Sequence, residues 1–133
     1  MEVSSLILYK AGKILMVRDR YEDFWTLPGG KVEPAETKRQ AIKREMKEEL
    51  PLVSYVNLRF YKEFFGVTPH SQQFLVASVF VGQYAGGRIE PHAEITGARW
   101  IKKNADGLRM TQSTQNIIHD FYTTTSKLKK AEP

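Results

Sequence analysis

Glu45, Glu48 and Glu49 stand three and four residues apart, a spacing that puts all three carboxylates on one face of an α-helix. At roughly 100° per residue, Lys43 and Lys47 fall almost opposite them, so the acidic face reads as unpaired. Pro51 follows closely, which places the three anions in the last turns of the helix, where the macrodipole is itself negative and favours cations. A divalent cation offsets both penalties, and clustered carboxylate oxygens suit a hard ion, Mg²⁺ or Mn²⁺. Taken alone, the triplet also fits a solvated acidic face. The preceding segment favours the cation. In Leu27-Pro28-Gly29-Gly30 the adjacent glycines let backbone N–H groups approach an anion, so Gly29 and Gly30 form a candidate phosphate-binding loop.

These residues must be held by a helix with a defined start. Thr37 has the side chain of an N-cap and Gln40 stands at N3, a capping box that opens a helix from about Lys38 to Glu49. Proline at position 51 fixes φ and pushes the residue before it out of helical space, so the helix should stop near Glu49 or Leu50. Ile42 and Met46 make the apolar stripe that docks on a sheet, which sets the acidic face at the sheet's edge beside the glycines. Ala41 lies on the acidic side, small enough to leave room there for ions and phosphates.

The stretch from Gly30 to Leu52 resembles the box of the Nudix hydrolases: Gly, five residues, Glu, seven residues, Arg-Glu, an aliphatic, any residue, Glu-Glu, any residue, Gly, an aliphatic. Gly30, Glu36, Arg44, Glu45, Met46, Glu48, Glu49 and Leu52 occupy the corresponding places. Pro51 stands where the family usually has Gly, and Ala35 where a Gly is common. The resemblance implies an α/β fold, a Nudix-type α/β/α sandwich with a mixed central sheet flanked by helices. It further implies that Glu45, Glu48 and Glu49 hold metal, that Glu36 and Arg44 brace the loop against the helix, and that Glu94, six positions ahead of Trp100, takes part in catalysis.

The remaining elements follow from apolar patterning. Val3 to Tyr9 and Lys13 to Val17 flank Lys10-Ala11-Gly12 as a β-hairpin, and Val53 to Gly66 and Phe74 to Val81 read as long strands. Trp25 could line a ligand site or pack under the loop. The loop from Gly66 to Gln73 carries Pro69 and His70, the latter either solvated or functional. Arg88 to Glu90 reads as short and extended. Ile117, Ile118, Phe121 and Tyr122 recur at helical spacing within a second helix over Thr111 to Tyr122.

The chain has 133 residues with 41% hydrophobic content, which is enough for one core, so a single domain over 1–126 is expected, with a frayed tail over 127–133. There are no cysteines, which excludes disulfides, thiolate metal sites and a thiol nucleophile. No basic segment opens an apolar leader and no run of roughly 18 apolar residues occurs, so a cytoplasmic protein without a membrane partner is expected. Lys plus Arg number 20 against 15 acids, a formal charge of +5, which is compatible with nucleotides or nucleic acid. The implied activity is hydrolysis of a diphosphate bond in a nucleoside diphosphate linked to another group, by direct attack of water, with Mg²⁺ as cofactor. One of the box carboxylates or Glu94 serves as base. A MutT-like nucleoside triphosphate pyrophosphohydrolase is the first choice. Alternatives are an ADP-ribose or nucleotide-sugar pyrophosphatase, to which Pro69 points, a nucleotide-sensing module without catalysis, and an RNA-binding or capped-RNA hydrolase. The sequence does not specify an oligomeric state, and the resemblance is compatible with a homodimer.

Overall fold

A computed structural model describes residues 1–68, 70–103 and 107–131, with side chains through Thr125. Nine elements follow in order: β1 (Glu2–Lys10), β2 (Lys13–Asp19), β3 (Trp25–Thr26), β4 (Gly29–Lys31), α1 (Lys38–Glu49), β5 (Tyr55–Val67), β6 (Phe74–Tyr84), β7 (Ile95–Ile101) and α2 (Gln112–Ala131). The β1–β2 hairpin forms as its turn residues dictate, with Tyr9 opposite Ile14, and with Ala11 and Gly12 both at positive φ.

The sheet is mixed. β1 runs parallel to β6 from Glu2 opposite Val76 to Tyr9 opposite Gln83, and β5 closes that edge antiparallel to β6. Because both faces are covered, β1 and β2 are nearly continuous apolar runs. Alternation sends Leu6, Leu8, Leu15 and Val17 to the side of Ile42 and Met46 of α1 and of Leu50 just after it. It sends Ile7, Ile14 and Met16 to the side of Ile117, Ile118 and Phe121 of α2. The result is the expected α/β/α sandwich with two cores.

What positions the site is a split along β1. Its second edge pairs with β2 only at Tyr9 and Lys10, and with β4 at Val3, Ser4 and Ser5. β2 meanwhile diverges to pair with β7 over Ile14–Asp19 and with β3 at Val17 and Arg18. Segment 24–31 crosses this opening, and Gly29 and Gly30 lie flat against Ser5 and Ser4.

α1 begins with both halves of the capping box in place and ends at Leu50, whose φ of −138° has left helical space ahead of Pro51. α2 continues to Ala131, so most of the backbone over 127–133 is helical, while Glu132 and Pro133 lie outside the described residues, as does Pro69. Residues 88–90 are not in a strand. No described helix is long and apolar enough to cross a membrane.

Candidate active site

Docking of α1 on β1 and β4 turns Ala41, Ile42, Glu45, Met46 and Glu49 inward. Two carboxylates are therefore buried, Glu45 at 7% and Glu49 at 2% exposure, while the Glu48 side chain stays 50% exposed. The three acids share a face only loosely: Glu45 and Glu49 form one i, i+4 row facing the sheet, and Glu48 sits on the next row with Arg44. Ala41, one turn before Glu45 on the same row, is completely buried.

The acidic face is also not unpaired, which corrects the expectation from helical periodicity. The Arg44 guanidinium donates to Glu36 Oε2 at 2.7 Å, to Glu45 Oε1 at 2.9 Å and to the Lys31 carbonyl at 2.9 Å, and it stands 3.4 Å from Glu48. Glu36 in turn accepts from the Glu33 amide at 2.9 Å. The guanidinium fork thus ties the 31–36 loop to the helix. Glu36 is held below the usual carboxylate range, chiefly by its bond from Arg44.

The glycines bring the loop into direct contact with the acids. The Gly29 amide donates to Glu49 Oε1 at 3.0 Å, so this N–H serves a carboxylate in the structure. Gly29 has φ +145°, and a Cβ there would meet the Ser4 carbonyl at 2.0 Å. At Gly30 a Cβ would lie 2.5 Å from Glu45 Oε1 and 2.6 Å from its Cδ, so glycine is what allows the Glu45 carboxylate to rest against β4. Gly30→Ala is therefore expected to fold, because only a side chain opposes it, yet to lose about tenfold or more in turnover as Glu45 is pushed aside. A melting curve and steady-state kinetics on the same preparation check both halves.

The third member comes from a distant segment. The His92 amide donates to the Glu49 carbonyl at 2.8 Å, the Ile95 amide to the His92 carbonyl at 3.1 Å, and the Arg20 amide to the Glu94 carbonyl at 2.8 Å. Ala93, at φ +56°, makes the bend. The segment ahead of β7 is thereby pinned to both α1 and the end of β2, and one carboxylate oxygen each of Glu45, Glu49 and Glu94 converges within 4.8 Å. Asp19, at the end of β2, adds its negative field to Glu49. Nothing local in the sequence marks Asp19, because it reaches the site only through the β2–β7 pairing.

Burial without sufficient countercharge raises both inward acids. Desolvation pushes Glu49 up to about 8, against the Gly29 hydrogen bond and with help from Glu45, Glu94 and Asp19. Glu45 is raised by burial, which outweighs the pull of Arg44, and Glu48 and Glu94 raise it further. The donor set is all carboxylate oxygen, which fits a hard divalent cation, and such a cation would supply the missing positive charge.

On the other side of Gly29 and Gly30 lies a cleft of about 240 Å³. Its walls combine Val3, Leu75 and Ile117 with the hydroxyls of Ser5, Thr26 and Ser113, and no charged side chain lines it. Phe24 stands at its edge with the His70 ring 6.4 Å away, and His70 Nε2 lies 2.6 Å from Glu22. Trp25 packs into the α2-side core and against Gly97, so its role is structural support of the loop.

Comparison with known proteins agrees with this geometry. A MutT-like protein of Streptomyces ambofaciens is 28% identical over 110 residues, covering 83% of this chain and 68% of its own length. CTP pyrophosphohydrolase of Escherichia coli (strain K12) is 44% identical over 59 residues, 41% of this chain and 44% of that protein. The solved MutT protein of Methanosarcina mazei Go1 superposes with a TM-score of 0.78 at 18% identity, covering 94% of each chain. The family model described as NUDIX domain matches residues 1–121. With the fold, the box and the family model in agreement over nearly its whole length, this chain belongs to the Nudix hydrolase family.

Proposed function

We propose that this chain is a divalent-metal-dependent, MutT-like nucleoside triphosphate pyrophosphohydrolase. The observation that carries the reading is the convergence of Glu45, Glu49 and Glu94 beside a cleft of apolar walls and hydroxyls, with Gly29 and Gly30 between the two. A cleft of apolar walls and hydroxyls accepts a neutral nucleobase, and the one cation at its lining, the Met1 ammonium, already donates to the Phe74 carbonyl at 2.9 Å. The phosphates of a nucleotide so seated extend toward the acidic group.

Glu45, Glu49 and Glu94 would hold Mg²⁺ or Mn²⁺, with Glu48 completing the set from the exposed side. When bound, the cation would neutralise phosphate charge and acidify water. Arg44 and Glu36 keep the loop and helix in register, and the Gly29 amide fixes the orientation of Glu49. Water attacks phosphorus, the bond from phosphorus to the leaving phosphate oxygen breaks, and a carboxylate of the group takes the proton of the water. The cluster holds no Ser, Cys or His paired with a base, and its carboxylates are taken up as ligands of the cation, which favours this direct route.

A panel of nucleoside triphosphates, ADP-ribose, nucleotide sugars and dinucleoside polyphosphates tests the reading. Mg²⁺-dependent pyrophosphate release from triphosphates is expected to lead the panel. Faster turnover of ADP-ribose than of every triphosphate, or tight nucleotide binding with no turnover, would overturn it.

A further inference from the structure

A second concave surface lies on the flank of α1 that faces away from the buried acids. It is a groove of about 700 Å³ between the outer side of the helix, Pro51 and the start of β5. Its floor is apolar, made by Met46, Leu50, Val53 and Tyr55, and its rim carries Lys43 and Lys47. Neither lysine side chain makes a hydrogen bond or ion pair with another described residue. The one acid in the lining, Glu48, already faces Arg44 at 3.4 Å. Arg39 continues the lysine row one step toward the helix N-terminus, held by a bond to the Leu58 carbonyl at 3.1 Å.

The row decides what kind of anion fits. Arg39, Lys43 and Lys47 are successive i, i+4 neighbours, so each cation is displaced about 6 Å along the axis from the last. A compact diphosphate or triphosphate matches one such position. A linear polyanion with separated charges matches all three. Tyr55 adds an aromatic surface beside the row, and aromatic faces next to a cationic track are how single strands are held without regard to sequence. The tertiary fold brings Tyr55 to these cations; in the sequence no aromatic residue is interleaved with them.

We propose that this groove is a docking surface for single-stranded nucleic acid, whose backbone follows Arg39, Lys43 and Lys47 and whose bases rest on Tyr55 and Pro51. Arg44 and Glu48 border both the groove and the acidic group, whereas Lys43, Lys47 and Tyr55 have no part in the latter, so substitutions at the lysines test the groove apart from the triphosphate reading.

The test uses the full chain and a short labelled oligoribonucleotide with a 5′-hydroxyl end, which offers no diphosphate bond to the acidic site. Fluorescence anisotropy is expected to show binding that weakens with salt, with a log–log slope of about −2, as three neutralised phosphates require. The double substitution K43E/K47E should weaken binding roughly tenfold or more, while leaving the melting temperature and triphosphate turnover within about twofold of wild type. The charge-matched pair K102E/K103E, at exposed positions beyond β7, should change binding by less than about twofold. Equal loss in both double variants would assign the effect to net charge and overturn the proposal. Equal competition by a polyglutamate peptide, which lacks bases to stack, or no binding by the wild type at low salt, would also overturn it.

Discussion

Glu49→Gln is expected to lower kcat/KM by roughly 10²–10³-fold, the largest loss of any single isosteric change in this chain. Glu49 is the most enclosed of the acids, its carboxylate oriented by the Gly29 amide and its backbone carbonyl holding the segment that carries Glu94. Glutamine keeps the volume and can still accept the Gly29 bond, so the fold survives while one negative ligand is lost. The concentration of Mg²⁺ needed for half-maximal rate should rise with the substitution. Glu94→Gln, which removes another of the proposed ligands, should likewise raise the Mg²⁺ requirement. Turnover of Glu49→Gln within a few-fold of wild type, at unchanged Mg²⁺ requirement, would remove Glu49 from the site and the proposed mechanism with it.

Metal-free protein is expected to lose stability as pH rises from about 5 to 8. Glu49 ionises near its ordinary value of 4.5 in the unfolded chain and at about 8 in the fold, so the folded state binds the extra proton between those values. The stabilisation is complete below 4.5 and is lost as pH climbs through 8, an effect on the order of 5 kcal/mol across the window. Glu45, also raised by burial, acts in the same direction. The lowered acids Glu36 and Asp120 act oppositely, but in the range below their ordinary values, outside this window. Thermal melts in chelator at pH 5.5, 6.5 and 7.5 read the slope. Excess Mg²⁺ should flatten it by binding the ionised form, and Glu49→Gln in chelator should melt several degrees above wild type at pH 8. A wild-type melting temperature that is flat, or that rises, over this range would show that the buried pair is already compensated within the chain.

Much of this arrangement could be read before folding because it depends on neighbours in sequence. Thr37 and Gln40 cap α1 through contacts three residues apart, Pro51 ends it by a local steric effect, and Ala11-Gly12 sets the hairpin by backbone preference. The apolar runs of β1 and β2 announce strands buried on both faces. Where the reading failed, the determining partner was distant or the side chain was long. Helical angles alone left the acidic face unpaired. The Arg44 side chain reaches across one row to Glu45 and is steered there by Glu36 and the Lys31 carbonyl, which belong to a loop folded back on the helix.

By itself, then, the sequence determined that a capped helix carries Glu45, Glu48 and Glu49 behind a pair of glycines, since spacing and local sterics suffice for that. Only the tertiary structure decided which carboxylates converge. Docking of Ile42 and Met46 on the sheet buried Glu45 and Glu49 and left Glu48 in solvent. The divergence of β2 from β1 then let β7 bring Glu94 to them across some forty-five residues of chain. Helical periodicity fixes directions relative to an axis; the side of that axis that meets the sheet, and the acid that waits there, are set by packing between elements far apart in the chain.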